Sequence, residues 1–207
     1  SPVDPVLVWG AEVAQASDFR WSAERDTVRI GLPREIKQAE RRVGLTPASV
    51  RTLAEHGHDL VVEAGAGAGI LASDADYAAA GASVLEAAEE IWSSADMIVK
   101  VKEPQPDERA RLSSGQILFT YLHLAPDPDQ THDLMASGAT CVAYETVTGP
   151  RGGLPLLAPM SRVAGRLSVQ AGASALETVH GGAGILIGGV PGVPPARVVI
   201  IGGGVVG

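Results

Sequence analysis

The chain has 207 residues, 45% of them hydrophobic and 19% charged, which is typical of a globular protein with one large or two small domains. Its net charge of -8 and the absence of a dense Lys/Arg run disfavour nucleic acid as a partner. No apolar run is long enough to span a bilayer, and the single cysteine excludes an internal disulfide. We therefore predict a cytoplasmic protein without a membrane partner.

The first 27 residues mix prolines and polar residues with isolated apolar patches, and they lack the features of a secretory signal. We predict that residues 1–27 form an N-terminal appendage. The chain begins with Ser1 instead of Met, so we expect its front end to be processed or to be a fragment.

From Val28 onward, short apolar runs alternate with helical segments. The predicted strands are 28–32, 60–63, 97–102, 117–123 and 140–146. The predicted helices are 47–56 behind the cap Thr46, 73–80, 128–137 and 161–179. This alternation, with short Gly- and Pro-containing connections, predicts an α/β fold in which helices cover both faces of a parallel, Rossmann-like sheet.

A second domain is predicted at the end of the chain. The β-branched run 197–201 resembles a central parallel strand, and it leads into G-x-G-x-x-G, formed by Gly202, Gly204 and Gly207. Such glycines allow a tight turn, close approach to a pyrophosphate and packing of helix on strand. The alternative is a glycine-rich tail or linker. We predict a substrate domain at 28–160, a connecting helix and linker at 161–196, and the start of a truncated NAD-binding Rossmann domain at 197–207.

Polar residues follow several predicted strands at their carboxyl ends, where ligands of open α/β sheets bind. Arg42 follows the first strand, and Lys102, His123 and Glu145 lie near the ends of later ones. If these strands are parallel neighbours, Arg42, Lys102 and His123 meet at one edge. Two cations suit a small carboxylate, and a histidine can transfer a proton near neutral pH. The alternatives are solvated charges for the two cations and a core position for His123.

Ser161 opens the last predicted helix, where it can be an N-cap or can offer its hydroxyl to a cofactor phosphate. The sequence contains no His/Cys cluster with zinc spacing and no phosphate-binding P-loop, so we predict no metal site.

Six motifs resemble a known family. IGLPRE through RVGLTP, HDLVVEAGAG and VKVKEP resemble alanine dehydrogenases and the α subunit of proton-translocating transhydrogenases. FTYLHLA, AYETV and LPLLAPMSRVAGR are similar to alanine dehydrogenases specifically. The resemblance covers residues 28–207, with the motifs in the family's order.

The resemblance implies that Arg42 and Lys102 bind the substrate carboxylate, that His123 is the catalytic acid/base and that Ser161 lies near the cofactor. It also implies reversible oxidative deamination of L-alanine to pyruvate and ammonium with NAD, in an enzyme that is commonly a hexamer. The family's catalytic aspartate lies beyond Gly207, so we expect this truncated chain to be inactive. Arg162 stands where the family usually has an acid.

Two alternatives to an alanine dehydrogenase fragment remain open at this point. One is a fragment of a transhydrogenase α subunit, in which the family resemblance places no histidine at the position of His123. The other is a non-catalytic, carboxylate-binding module or remnant. The choice between NAD and NADP depends on an acidic residue that the family has beyond Gly207.

Overall fold

The computed structural model describes residues 27–207, so the predicted appendage lies outside the described part except for its last residue. The chain divides into two compact units, of which the first ends at Thr146 and the second spans Val147–Gly207.

The first unit is built on a six-stranded sheet in the order β3-β2-β1-β4-β5-β6. The strands are β1 (Arg29–Leu32), β2 (Asp59–Glu63), β3 (Ser83–Leu85), β4 (Met97–Val99), β5 (Ile117–Thr120) and β6 (Thr140–Ala143). All five neighbouring pairs are parallel, which confirms the predicted α/β fold. The carboxyl ends of all the strands therefore lie along one edge.

Five helices connect these strands, and the sequence accounts for several of their ends. They are α1 (Pro47–Glu55), α2 (Asp74–Ala79), α3 (Ala88–Ser94), α4 (Pro106–Arg109) and α5 (Pro128–Ser137). The Thr46 side chain accepts the Ser49 N–H and caps α1. Gly138 ends α5 with a φ of +69°, a backbone conformation that favours glycine.

Apolar side chains pack on both faces of the sheet. Leu60 and Val62 belong to one core cluster with Val50 of α1, whereas Val61 belongs to a second cluster with Trp92 of α3. Successive side chains of a strand point to opposite faces, so this alternation shows that both faces are covered. Cys141 lies beside the second cluster, where burial raises the pKa of its thiol to about 11.

Several strands and helices differ from the sequence prediction. β4 and β5 are shorter than predicted, although Lys100 N–H still donates to Phe119 O at 3.1 Å and Tyr121 N–H to Val101 O at 3.2 Å. The predicted strand 140–146 ends at Ala143, because residues 144–146 form a 3₁₀ turn. β3 and α3 were not predicted, since neither has a long periodic pattern.

In the second unit, α6 spans Ala158–Ala175 and so begins before the predicted position at Ser161. The predicted strand 197–201 is wrong: no residue of this run pairs in a sheet within residues 27–207, and Val198 through Ile201 are 65–96% exposed. A strand is stable only beside a hydrogen-bonding neighbour, which its own sequence cannot supply.

Along residues 27–207, no helix is both long and apolar enough to cross a membrane. The same residues bring together no group of three or more His, Cys, Asp or Glu side chains able to hold a metal ion.

Candidate active site

The sheet order places the three predicted site residues on neighbouring loops. Arg42 lies in the loop between β1 and α1, Lys102 lies three residues beyond β4, and His123 lies three residues beyond β5. Because β1, β4 and β5 are adjacent and parallel, these loops leave the same edge of the sheet side by side.

Arg42 is held by a carboxylate from its own loop. Its Nε and backbone N–H donate to Glu40 Oε1 at 2.8 and 2.7 Å, and its Nη2 donates to Glu40 Oε2 at 2.5 Å. The Glu40 side chain is 7% exposed and that of Arg42 is 40% exposed. The hydrogen bonds from Arg42 hold the pKa of Glu40 at about 2 despite the opposing effect of burial. The guanidinium is thus oriented by a buried carboxylate on one of its edges.

Tyr121 connects Arg42 with His123. Its ring stacks on that of His123, with the centroids 5.8 Å apart and the planes 9° from parallel. Burial raises the pKa of Tyr121, and the nearby charge of Arg42 opposes that rise. His123 therefore stacks on a phenol ring that also feels the charge of Arg42, and this ring packs edge-on against Tyr144.

His123 is exposed and has a φ of +50°, a left-handed conformation that costs a non-glycine residue about 1–3 kcal/mol. Its backbone N–H donates to Glu145 Oε1 at 2.7 Å, and the Leu122 N–H donates to the same oxygen at 3.1 Å. These two hydrogen bonds to a carboxylate stabilise the strained turn. The interpretation of His123 as a buried core residue is wrong.

Lys102 is half-buried, and its main chain is held by Glu35 of the loop after β1 and by Thr120 of β5. Its N–H lies 3.4 Å from Glu35 Oε2, and its carbonyl oxygen accepts the Thr120 hydroxyl at 2.9 Å. The ammonium forms no ion pair with a carboxylate of the described residues. An ion pair between Lys37 and Glu103 joins the loop after β1 to the loop after β4.

The predicted cofactor residues all lie in the second unit. Ser161 is inside α6, where its hydroxyl contacts Leu157 O at 3.4 Å, so its interpretation as an N-cap is wrong. Gly202 has a φ of +97°, and neither it nor Gly204 has a neighbour where a Cβ would lie. At Gly207 a Cβ would overlap the Gly202 carbonyl oxygen.

The backbone at Gly202 and Gly204 is therefore open on the side where a Cβ would lie, and Gly202 is left-handed. A dinucleotide site also needs a preceding strand and a following helix N-terminus. Neither flanks this turn within residues 27–207. The described residues do not form a complete cofactor site.

Comparison with known proteins identifies the family. The sequence model described as "Alanine dehydrogenase/PNT, N-terminal domain" matches residues 31–164, and its C-terminal counterpart matches residues 168–207. The chain belongs to the alanine dehydrogenase/PNT family. The resemblance seen in the sequence motifs is thereby confirmed.

Relatives of this alanine dehydrogenase/PNT chain include named enzymes. It is 61% identical over 180 residues to an alanine dehydrogenase of Halomonas elongata, covering 87% of this chain and 48% of the relative. It is 54% identical over 178 residues to that of Mycolicibacterium smegmatis, covering 86% of this chain and 48% of the relative. The chain spans about half the length of the curated relatives it matches.

Among solved structures, an alanine dehydrogenase is more similar to the chain than a transhydrogenase is. An L-alanine dehydrogenase superposes with a TM-score of 0.78 and 56% identity, covering 86% of this chain and 49% of that one. A transhydrogenase from Sinorhizobium meliloti superposes with a TM-score of 0.64 and 28% identity, covering 72% of this chain and 45% of that one. The transhydrogenase alternative fits less well.

In this alanine dehydrogenase/PNT chain, the sequence did not predict the residues that contact Arg42, Lys102 and His123. Glu40 orients Arg42, Glu35 contacts the main chain at Lys102, and Tyr121 stacks on His123. Glu145 was noted at a strand end but was given no role. The signal in the sequence for Glu40 was its position two residues before Arg42. Glu35 had no such signal, because it lies 66 residues from Val101, whose N–H it accepts.

Proposed function

We propose that this chain is the N-terminal portion of an alanine dehydrogenase. In the complete protein it would bind the carboxylate of L-alanine or pyruvate for the reversible, NAD-dependent conversion of L-alanine to pyruvate and ammonium. The observation that carries the proposal is the meeting of two cationic loops and an exposed histidine at one sheet edge. Similarity to named alanine dehydrogenases supports it.

Arg42 and Lys102 have complementary roles in the proposal. A guanidinium binds a carboxylate through two parallel hydrogen bonds, and an ammonium adds a compact positive charge. Glu40 fixes the plane of the Arg42 guanidinium, which lowers the entropy lost when a substrate binds. Lys102 has a fixed main chain and an ammonium that no carboxylate of residues 27–207 neutralises.

His123 would transfer the proton at the substrate's carbonyl or amino group. An imidazole can transfer a proton near neutral pH. The exposed His123 ring stacks on Tyr121, and Glu145 accepts the His123 backbone N–H. NAD would accept the hydride in the complete protein. Because residues 27–207 form no complete dinucleotide site, we expect this chain alone to bind pyruvate without turning it over.

The proposal extends to assembly and location. By resemblance to its family, the complete protein would be a hexamer and would act in the cytoplasm on a small-molecule substrate. Analytical ultracentrifugation of the complete gene product checks the hexamer, and a dimer or monomer at micromolar concentration would contradict it.

A second candidate is a carboxylate-binding module without catalysis. It is favoured by one observation, that Arg42 and Lys102 follow two adjacent parallel strands, where two cations suit a small carboxylate whether or not a reaction follows. The two candidates differ only in the complete gene product, where the module predicts pyruvate binding without NADH formation.

The decisive experiment has a binding arm and a catalytic arm. In the first, pyruvate is titrated into the chain by calorimetry, with Arg42→Gln and the matched exposed control Arg41→Gln. We expect Arg42→Gln to weaken binding by about 10-fold or more, and Arg41→Gln by less than about twofold. Absence of pyruvate binding by the unaltered chain would overturn the proposal.

In the catalytic arm, the complete gene product is assayed for NADH formation from L-alanine. His123→Asn should lower the rate by a factor of about 10² to 10⁴, whereas His132→Asn on the exposed face of α5 should leave it unchanged. Equal rates for the two variants would remove His123 from the mechanism.

A further inference from the structure

A buried cluster of three charges lies directly behind the candidate active site. We infer that Glu35, held by Lys100 and Glu108, is a positioning residue that fixes Lys102 for the substrate carboxylate. This inference rests on the proposed function, since it deepens the role of Lys102, and it assigns a purpose to charges that the reaction itself does not use.

Glu35 contacts the β4 loop at three successive residues. Its Oε1 accepts the Val101 N–H at 2.6 Å, and its Oε2 lies 3.4 Å from the Lys102 N and 3.2 Å from the Lys100 Nζ. Glu35 itself comes from the loop after β1, on the neighbouring strand. One carboxylate therefore fixes the course of the chain immediately before the Lys102 side chain.

Lys100 pairs with Glu35 inside the protein. The Lys100 side chain is 1% exposed, that of Glu35 is 5% exposed and that of Glu108 is 3% exposed. Lys100 Nζ also donates to Glu108 Oε1 at 2.8 Å, and Glu108 Oε2 accepts the Gln105 N–H at 2.8 Å. Buried charges persist only where they are paired and hydrogen-bonded, so each member of the cluster depends on the others.

The other side of Lys102 is fixed from β5. The Thr120 side chain is buried, and its hydroxyl donates to the Lys102 carbonyl oxygen at 2.9 Å. Lys102 is thus held at its N–H by the β1 loop and at its carbonyl by β5. These are the elements that precede Arg42 and His123, so the Glu35 and Thr120 contacts together set the position of Lys102 relative to the other two predicted site residues.

A buried charge cluster can also serve stability alone, and a matched carboxylate separates the two roles. Glu63, at the end of β2, is also a buried carboxylate that accepts a backbone N–H and faces a cation, with its side chain 9% exposed against 5% for Glu35. Its Oε2 accepts the Arg34 N–H at 2.9 Å, in the β1 loop, and its Oε1 lies 3.7 Å from Arg34 Nε. It does not contact Lys102. Glu63→Gln therefore repeats the chemical change of Glu35→Gln at a carboxylate that contacts the β1 loop at Arg34 and not the β4 loop.

The test measures pyruvate affinity of the unaltered chain, Glu35→Gln and Glu63→Gln, with thermal unfolding as a check of folding. The Glu35→Gln amide replaces one carboxylate oxygen with an NH2 donor. Either the Val101 N–H or the Lys100 ammonium and Lys102 N–H then lose their acceptor, so we expect affinity to fall by about 10-fold or more. Glu63→Gln should change it by less than about twofold. In the complete gene product, Glu35→Gln should raise KM for pyruvate more than it lowers kcat.

Amide hydrogen exchange followed by NMR adds a readout that does not need a substrate. Glu35→Gln should speed exchange at Val101 and Lys102, whereas Glu63→Gln should speed it at Arg34. If Glu35→Gln does not fold, Thr120→Val decides, because it removes the hydroxyl at Lys102 and introduces no charge. We expect Thr120→Val to weaken pyruvate binding by about threefold or more.

The outcomes are distinct. If the unaltered chain does not bind pyruvate, the proposed function is overturned and the positioning role falls with it. If it binds pyruvate and folded Glu35→Gln retains affinity within about twofold, only the positioning role is overturned. Equal losses of pyruvate affinity in Glu35→Gln and Glu63→Gln would also overturn the positioning role and would show that the cluster only stabilises the fold.

Discussion

The pair between Glu40 and Arg42 makes stability depend on pH in a specific way. Glu40→Gln keeps the shape of the side chain and removes the charge that accepts hydrogen bonds from the Arg42 Nε and Nη2. We expect this variant to be less stable than the unaltered chain at neutral pH and to approach it in acid.

The magnitude follows from the pKa of Glu40, which falls from its ordinary value of 4.5 to about 2. Such a drop corresponds to about 3 kcal/mol as an upper limit, at about 1.4 kcal/mol per pH unit. Arg42 is 40% exposed, and solvent weakens the interaction, so we expect about 1–2 kcal/mol. Because the folded-state pKa lies below the unfolded one, this stabilisation is present above pH 4.5 and is lost as the pH falls toward 2.

Urea unfolding followed by circular dichroism at pH 7, 5 and 3 measures the effect. The difference in unfolding free energy between the unaltered chain and Glu40→Gln should be similar at pH 7 and 5 and smaller at pH 3. Glu55→Gln, at the exposed end of α1, serves as the control and should change stability by less than about 0.5 kcal/mol. A Glu40→Gln difference that is the same at pH 3 as at pH 7 would refute the reasoning.

Three further substitutions test the packing that supports the site, each by urea unfolding. Tyr77→Phe should lower the free energy of unfolding by about 1 kcal/mol, because the buried hydroxyl donates to Leu45 O at 2.9 Å. Burial raises the pKa of Tyr77 to about 12, so the hydroxyl stays a neutral donor. An unchanged urea midpoint would contradict this prediction. Thr46→Ala should cost about 1 kcal/mol by removing the α1 cap, and restoration by Thr46→Ser would identify the hydroxyl as the cause. Gly69→Ala should cost about 1–3 kcal/mol, since its Cβ would overlap the Arg41 carbonyl oxygen, and a neutral result would show that this loop moves freely.

Local chemistry determined much of the fold. The helix at Pro128–Ser137 has the predicted bounds, because a proline at its start and a glycine at its end act within the helix itself. The apolar runs at β1 and β2 and the cap Thr46 were found for the same reason. β3 and α3 were missed because both are short and their stability comes from packing against other elements.

The site was predicted through one rule, that parallel strands end at a common edge. That rule, applied to the chain order of polar residues, selected Arg42, Lys102 and His123 before any contact was known. It could not find Glu35, because a carboxylate and the backbone it holds are 66 residues apart, and nothing in either segment marks the other.

The sequence by itself therefore determined the helices α1, α2 and α5 and which side chains follow the strands, since those properties depend on neighbours in the chain. Tertiary structure alone decided the strand order, the carboxylates that orient Arg42 and Lys102, and the fate of residues 197–201. That run has the apolar, β-branched composition of a strand, yet it forms none within residues 27–207. Its backbone hydrogen bonds would have to come from a neighbouring strand, and composition specifies no such neighbour.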